Sequence, residues 1–215
     1  MVKSSKYVLS FTAMSLRLTD MVRLARIAIK DKVEDISTLR ESGGTYASGK
    51  TSSSIRGFRE IKNRLEELTI EQKNVLANSD LVAQKQVAFL SICKNYSFIK
   101  DFAVDILREK ALVFNYQIHE SDYKTFIDSR LILHPELEQF SETTMKKAKQ
   151  VMFRIFEQSG VINNAVERVI QPQILQSEVV KAIINDDPEW LKIFLIPDRD
   201  IEQLIQLYGH YSKKV

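Results

Sequence analysis

Residues that form turns and cross-links are scarce in this 215-residue chain, which has one cysteine, six glycines and four prolines. A single thiol, Cys93, excludes a disulfide within the chain and is typical of proteins from a reducing compartment. Because turns between strands need glycine and proline, their scarcity argues against a many-stranded β architecture. The composition therefore predicts an all-α, mainly helical fold with at most a small β wing.

Long apolar runs are also missing from the chain. No stretch approaches the roughly 20 apolar residues that span a bilayer, and the first apolar stretch is interrupted by Ser10, Thr12 and Arg17. This pattern excludes a membrane-spanning protein and is poor material for a secretion signal. We therefore expect a cytoplasmic protein without a membrane partner.

Residues that could carry chemistry are few and dispersed. The histidines His119, His134 and His210 are scattered and, with one cysteine, form no recognisable metal-binding spacing. Nothing in the sequence argues for a Ser–His–Asp site. The chain is therefore predicted to be non-enzymatic, with no cofactor, no metal and no small-molecule substrate. A net charge of +3 and a pI of 8.8 only weakly indicate an anionic partner.

The helical region between Leu81 and Leu112 carries apolar residues on nearly every face. Helices of this kind are buried, so this region is predicted to form the core. We divide the chain into an N-terminal helical region, residues 1–118, which contains this core, and a C-terminal region with a winged helix and terminal helices, residues 119–215.

A glycine-rich stretch, residues 44–51, matches the phosphate-loop pattern G-x-x-x-x-G-K-[ST] as GTYASGKT. A working phosphate loop needs a buried strand before its first glycine and a later strand that ends in a magnesium-binding aspartate. The preceding residues 35–43 are too polar for such a strand. We therefore interpret the stretch as a loop and keep nucleotide binding as a third hypothesis.

The first candidate for DNA contact is a serine-capped amphipathic helix, predicted from Ser53 or Ser54 to Leu68. Helices predicted over residues 15–30 and 33–40 precede it, as a helix-turn-helix requires. Hydroxyl groups at a helix start hold phosphate, and a basic outer face reaches base edges. The candidate contacts here are Lys50, Ser53, Ser54, Arg56, Arg59 and Asn63. The alternative is a solvated face whose arginines pair with Glu60, Glu66 and Glu67.

The second candidate is a predicted helix that Ser141 caps and Gly160 ends. A short helix at residues 135–140 precedes it, and residues 161–171 have the length of a β wing, with short β pieces at 161–162 and 169–170. This is the plan of a winged helix, whose second helix enters the major groove. Its outer face carries the candidate contacts Thr143, Lys146, Lys147, Gln150 and Arg154. The alternative is a winged helix that binds protein.

Several segments in order along the chain together resemble the BrxA family of bacterial BREX (bacteriophage exclusion) defence systems. They are residues 6–12 (KYVLSFT), 52–56 (SSSIR) through Arg64 and Leu65, 96–110 (YSFIKDFAVDILREK), 134–137 (HPEL), and 141–147 (SETTMKK) to Gly160. The resemblance implies a NusB-like helical fold and a non-enzymatic protein that binds double-stranded DNA in a multi-component defence system. It carries over no catalytic residues.

The leading hypothesis from the sequence is thus a DNA-binding protein of a BREX system, with double-stranded DNA and other BREX components as partners. An alternative is a protein–protein adaptor within the same system that uses the apolar region around Trp190 or the winged helix. The third hypothesis is a phosphate-loop nucleotide switch that depends on Lys50.

Overall fold

The structure, a computed structural model, describes residues 6–31 and 52–209, without the side chains of Ser52, Ser53 and Ser54. Within those ranges the chain forms ten α-helices and no strand. They are α1 (Leu18–Lys30), α2 (Ser52–Glu66), α3 (Ile70–Asn78), α4 (Leu81–Asn95), α5 (Ser97–Phe102), α6 (Glu109–Leu112), α7 (Glu120–Arg130), α8 (Glu142–Ser159), α9 (Ser177–Ile184) and α10 (Asp198–Tyr208). The all-α prediction is confirmed. The helix predicted at 33–40 and the phosphate-loop residues 44–51 lie outside the described residues.

Tighter or wider helical turns connect several of these helices. Turns of 3₁₀ helix cover Ser10–Ala13, Pro135–Gln139 and Pro188–Phe194. A π-helical stretch, Ala103–Arg108, joins α5 to α6 into one continuous helical rod. The short helix predicted at residues 135–140 is therefore a 3₁₀ turn, with proline at its permitted first position.

Side-chain caps explain where the helices around the core begin. The Thr69 hydroxyl accepts a hydrogen bond from the Gln72 amide at 3.2 Å, and the Gln72 side chain accepts one from the Thr69 amide at 3.2 Å. This capping box satisfies two backbone donors at the start of α3. An Asp80 carboxylate oxygen accepts from the Ala83 amide at 2.9 Å and starts α4.

α4 lies at the centre of the fold and contacts α1, α2, α3, α5, α8 and α9. Its side chains are buried on most faces, and Val87, Phe89 and Ile92 are fully buried. This burial confirms the core predicted from the all-round apolar pattern. The same core spans the two regions distinguished in the sequence, because Phe11 and Phe156 belong to one cluster of buried residues. The boundary at residue 118 stays a prediction.

Three short extended segments beside α8 are paired through two isolated antiparallel bridges. One bridge joins Gln117 to Val169, and the other joins Ile162 to Ile170. Residues 168–171 lie in the middle: the Ile170 amide donates to the Tyr116 carbonyl at 2.8 Å, and the Gln171 amide donates to the Val161 carbonyl at 2.9 Å. The β pieces predicted at 161–162 and 169–170 thus pair through one bridge rather than as a regular ladder. Each segment is too short to add further pairs.

Candidate nucleic-acid interface

The outer face of α2 carries three of the side chains selected from the sequence. Arg56, Arg59 and Asn63 are all exposed. On the opposite side Ile61 and Leu65 are fully buried, so the apolar residues hold the helix on the core. The predicted amphipathic arrangement is therefore present, and it turns two guanidinium groups and an amide toward solvent.

The hydroxyl cluster predicted at the start of α2 is placed differently. The helix begins at Ser52, so Ser53 and Ser54 lie within its first turn and not at the cap position before it. The backbone of both residues is described but their side chains are not. Lys50 lies outside the described residues, so its predicted contact stays an expectation.

Glu60, which the sequence offered as a surface partner for arginine, is almost completely buried at 5% exposure. Its carboxylate faces the Nε of Arg64 at 3.3 Å, and Arg64 is fully buried. Glu66 pairs with Lys62 at 3.4 Å. The alternative of a solvated face with arginine–glutamate pairs is thus wrong for Glu60. The Glu60 carboxylate faces Arg64 inside the protein and is not a surface partner for Arg56 or Arg59.

The outer face of α8 holds the larger set of candidate residues, all of them exposed: Thr143, Lys146, Lys147, Gln150 and Arg154. The opposite face, including Met152, Ile155 and Phe156, is fully buried. Lys146 pairs with Glu142 at 2.9 Å, and the two side chains are 74% and 82% exposed. Such an exposed ion pair adds little stability. The Lys146 ammonium group can therefore exchange the Glu142 carboxylate for a phosphate.

The start and end of α8 follow the sequence prediction. The Ser141 hydroxyl accepts a hydrogen bond from the Thr144 amide at 3.2 Å and lies 2.9 Å from the Thr143 hydroxyl. Gly160 ends the helix in the left-handed conformation, with φ +83°. These caps set the 18-residue length of α8, which puts five polar side chains on one straight exposed face.

The turn after α8, residues 163–168, is ordered by its own asparagines. The Asn163 side-chain oxygen accepts from the Val169 amide at 2.9 Å, and that of Asn164 accepts from the Val166 and Glu167 amides at 2.9 and 2.7 Å. Val166 at the tip is 89% exposed. We name residues 161–171 the wing.

Arg168, which is not among the residues predicted from the sequence, anchors the wing. Its guanidinium lies 4.3 Å from the ring centroid of Phe153 on α8 and donates to Glu120 on α7 at 3.2 Å. Lys149 on α8 also donates to Glu120. The hydrogen bond from Lys149 holds the pKa of the Glu120 carboxyl below its ordinary value. No local signal predicts this contact, because Glu120 lies 29 residues from Lys149 and 48 from Arg168.

The two candidate faces lie on different helices that both contact the turn Ser10–Ala13 and the central α4. The segment after that turn, residues 14–16, contacts both helices: it accepts hydrogen bonds from the Arg64 side chain of α2 and donates one to the Gln158 side chain of α8. The structure therefore connects the candidate helices through one N-terminal segment.

Two features of other protein classes are absent from the described part of the chain. It contains no group of three or more histidine, cysteine or acidic residues arranged to hold a metal ion. It also has no helix that is both long enough and apolar enough to cross a bilayer. Cys93 is buried in the core.

The fold is shared with a solved structure of an uncharacterized protein from Magnetospirillum magneticum. The two have a TM-score of 0.75, with 89% of this chain and 98% of that chain covered, at 15% sequence identity. At this low identity the likeness shows a common fold and nothing further.

The sequence model of the BrxA family matches residues 5–187, so the chain belongs to the BrxA family. One relative is the BREX protein BrxA of Escherichia coli O9:H4 (strain HS), which is 20% identical over 118 residues, 55% of this chain. The chain spans about 55% of the length of that relative. The resemblance drawn from the sequence segments is confirmed.

Proposed function

We propose that this chain is a non-enzymatic protein that binds double-stranded DNA within a BREX phage-defence system. Membership of the BrxA family supports a role in BREX phage defence. That role and a DNA ligand are consistent with a cytoplasmic protein whose further partners are other BREX components.

The observation that carries the DNA proposal is the exposed polar face of α8. Five side chains of types that can donate hydrogen bonds to phosphates or base edges lie along one side of a capped helix whose other side is buried. Three of the five are basic, namely Lys146, Lys147 and Arg154. α2 supplies a second face of the same chemistry through Arg56, Arg59 and Asn63.

The order of segments around α8 supports the same proposal. Residues 116–118 precede α7, and the turn Pro135–Gln139 precedes α8. Residues 161–163 and 168–171, the two extended parts of the wing, follow α8. Residues 168–171 pair with both other extended segments. A winged helix has this arrangement, with the helix before the wing in the major groove. We assign that position to α8.

Gel mobility shift with a duplex of about 24 bp, repeated at several salt concentrations from about 50 to 200 mM, tests the proposal. We compare the wild type with Arg56→Ala/Arg59→Ala and Lys146→Ala/Lys147→Ala. Arg23→Ala/Lys30→Ala removes two exposed basic residues of α1 as a charge-matched control. Each phosphate contact contributes about −0.9 to the log–log salt slope. We therefore expect each test variant to reduce the slope by nearly 2 and the control to leave it unchanged.

The full salt titration provides a second measure of DNA contact. With about 6 to 8 phosphate contacts, affinity falls roughly 10³- to 10⁴-fold between 50 and 200 mM salt. An affinity that does not respond to salt contradicts binding through phosphates. If neither double variant weakens binding, both helix assignments are wrong.

A protein–protein adaptor is the second candidate, favoured by an apolar groove of about 550 Å³ between α10 and the turn after α6. Phe114 on its rim is 81% exposed and holds a left-handed backbone, φ 57°. The Trp190 region is half-buried, with Lys94 5.9 Å from the ring centroid, which makes it a poorer docking surface than the groove. Absence of wild-type duplex binding at low salt favours the adaptor.

The nucleotide switch rests on residues 44–51, which lie outside the described residues. Calorimetric titration of the wild type with ATP and magnesium tests it, with Lys50→Ala as the control. Heats of binding that are present in the wild type and absent in the variant support a phosphate loop. Equal or absent heats dispose of it.

A further inference from the structure

We infer that the exposed faces of α2 and α8 form one continuous surface for a single DNA duplex. The segment Met14–Leu16, held between Arg64 and Gln158, sets the spacing of the two faces. This inference rests on the proposed DNA-binding function. It adds that one duplex spans both helices, and that Arg64 and Gln158 act as positioning residues.

Arg64 fastens the segment to α2 from inside the protein. Its Nη1 donates to the Ser15 carbonyl at 2.7 Å and to the Leu16 carbonyl at 3.3 Å, and its Nη2 donates to the Met14 carbonyl at 3.2 Å. Arg64 is fully buried, so water does not compete for these hydrogen bonds. Three consecutive carbonyl groups are thereby fixed to α2.

Glu60 completes the attachment to α2. It pairs with Arg64 and also accepts a hydrogen bond from the Tyr96 hydroxyl, which lies 3.1 Å from the Ser10 hydroxyl. The network therefore contacts both ends of the stretch from Ser10 to Leu16. A buried polar network in which each member has a partner rigidifies the elements that it joins.

Gln158 fastens the same segment to α8. The Leu16 amide donates to the Gln158 side-chain oxygen at 2.9 Å, and the Leu16 side chain is buried at 2% exposure. Leu16 thus donates from its amide to α8 and accepts at its carbonyl from α2. Leu16 is therefore hydrogen-bonded to both helices.

Helical spacing shows that the two exposed faces border this segment. Glu60 lies four residues after the exposed Arg56, and positions four apart on a helix are neighbours on its surface. Gln158 lies four residues after the exposed Arg154 in the same way. The exposed face of each helix is therefore adjacent to a residue that holds the segment or its partner, and Ala13 and Arg17, which flank the segment in the sequence, are exposed.

Fixed spacing matters because duplex DNA is stiff. Once one face is bound, the second face binds as an intramolecular event, with a high effective concentration only if its position is held. If the connection loosens, each face keeps its own contacts but the gain from binding both is reduced. Loss of affinity confined to long duplexes is the signature of such a positioning role.

The binding experiment compares Gln158→Ala with the wild type on duplexes of about 8 and 24 bp, less and more than two helical turns of about 10 bp each. We expect about tenfold weaker binding of the long duplex and less than twofold change on the short one. Gln86→Ala is the matched control, since this buried amide also joins two segments, donating to the Ile174 carbonyl at 2.8 Å. Long-duplex affinity of Gln158→Ala within twofold of the wild type overturns the inference.

A distance measurement without DNA tests the connection independently. Spin labels at Glu66→Cys on α2 and Glu142→Cys on α8 report the separation of the helices, and Cys93 stays unlabelled because it is buried. We expect a broader distance distribution in Gln158→Ala, and also in Arg64→Met if that variant folds. Gln158→Glu keeps an acceptor for the Leu16 amide, so its distribution should return to that of the wild type. An unchanged distribution in Gln158→Ala overturns the inference. If the wild type binds neither duplex, the proposed function itself fails.

Discussion

Among individual side chains, Arg64 has the most demanding environment. Burial lowers the pKa of its guanidinium, and the neighbouring Glu60 carboxylate opposes that shift. An arginine remains charged in proteins, so its partners must replace the water it loses. Three carbonyl groups and a carboxylate do so here. Such a residue tolerates little change.

Removing Arg64 should therefore destabilise the protein strongly. We expect Arg64→Ala to lower the free energy of unfolding by about 3–5 kcal/mol, because Glu60 is left buried without its partner. Arg59→Ala, on the exposed face of the same helix, should stay within about 0.5 kcal/mol of the wild type. Urea unfolding followed by circular dichroism measures both. A loss below about 1 kcal/mol for Arg64→Ala contradicts the anchoring role.

Glu120 gives a pH-dependent contribution of predictable sign. Its pKa is lowered in the folded protein, first by the hydrogen bond from Lys149, so the unfolded chain binds the proton more tightly. The stabilisation is present above the ordinary value of 4.5 and is lost as pH falls through the lower folded pKa. We expect the stability difference between wild type and Glu120→Gln to shrink from pH 6 to pH 3.

The size of that difference is small, about 1 kcal/mol or less, because the Glu120 side chain is 70% exposed. Urea unfolding at several pH values measures it. Glu202→Gln, which removes an exposed carboxylate from α10, serves as the control. A difference that grows as the solution becomes more acidic contradicts the direction assigned to Glu120.

At the level of the helices, the end of α8 depends on the left-handed backbone of Gly160. Gly160 holds φ +83°, where an added Cβ meets no atom within 4 Å, so only backbone strain opposes a larger residue. The left-handed conformation costs an L-residue roughly 1–2 kcal/mol. The direction in which the chain leaves α8 toward the wing depends on this single residue.

We expect Gly160→Ala to lower the free energy of unfolding by about 1–2 kcal/mol. Gly209→Ala is the matched control at the end of α10, where φ is −71° and an added Cβ comes 3.6 Å from Ile205, an ordinary contact. That change should be neutral or stabilise by up to about 1 kcal/mol, since it restricts the unfolded chain. Chemical denaturation of both variants checks the contrast. Equal losses would contradict an origin in backbone strain.

The molecule as a whole is built around one aromatic core. Phe102 packs against Phe126, Phe153 and Phe156, with ring centroids 5.1 to 5.8 Å apart. Phe89 of α4 packs against Phe156 and against Phe194 near the C-terminal end. Residues on both sides of position 118 therefore depend on the same packing, and we expect them to unfold together.

Urea unfolding followed by Trp190 fluorescence, which reports on the C-terminal region, should have the same midpoint as unfolding followed by circular dichroism. Phe156→Ala should lower stability by about 3–5 kcal/mol and move both midpoints equally. Two separate midpoints would instead support independent folding of residues 1–118 and 119–215.

Much of the helical framework and of the candidate faces follows from short-range patterns. The Thr69–Gln72 capping box, the Ser141 cap and the Gly160 stop are each defined by residues within a few positions of one another. The apolar stripe of α8 correctly separates its buried and exposed sides. The wing is less regular than its sequence indicates, because β pairing needs partners that a local pattern does not supply.

The sequence by itself determined the all-α class, the family, the position of the core and the exposed faces of α2 and α8. Helical periodicity and caps depend on residues one or two turns apart, which is why local patterns reveal them. Only the tertiary structure decided that Glu60 is buried with Arg64, and that Leu16 joins α2 to α8 through Gln158, 142 residues away. Burial of a polar side chain depends on which distant segments surround it, and those segments meet only in the folded protein.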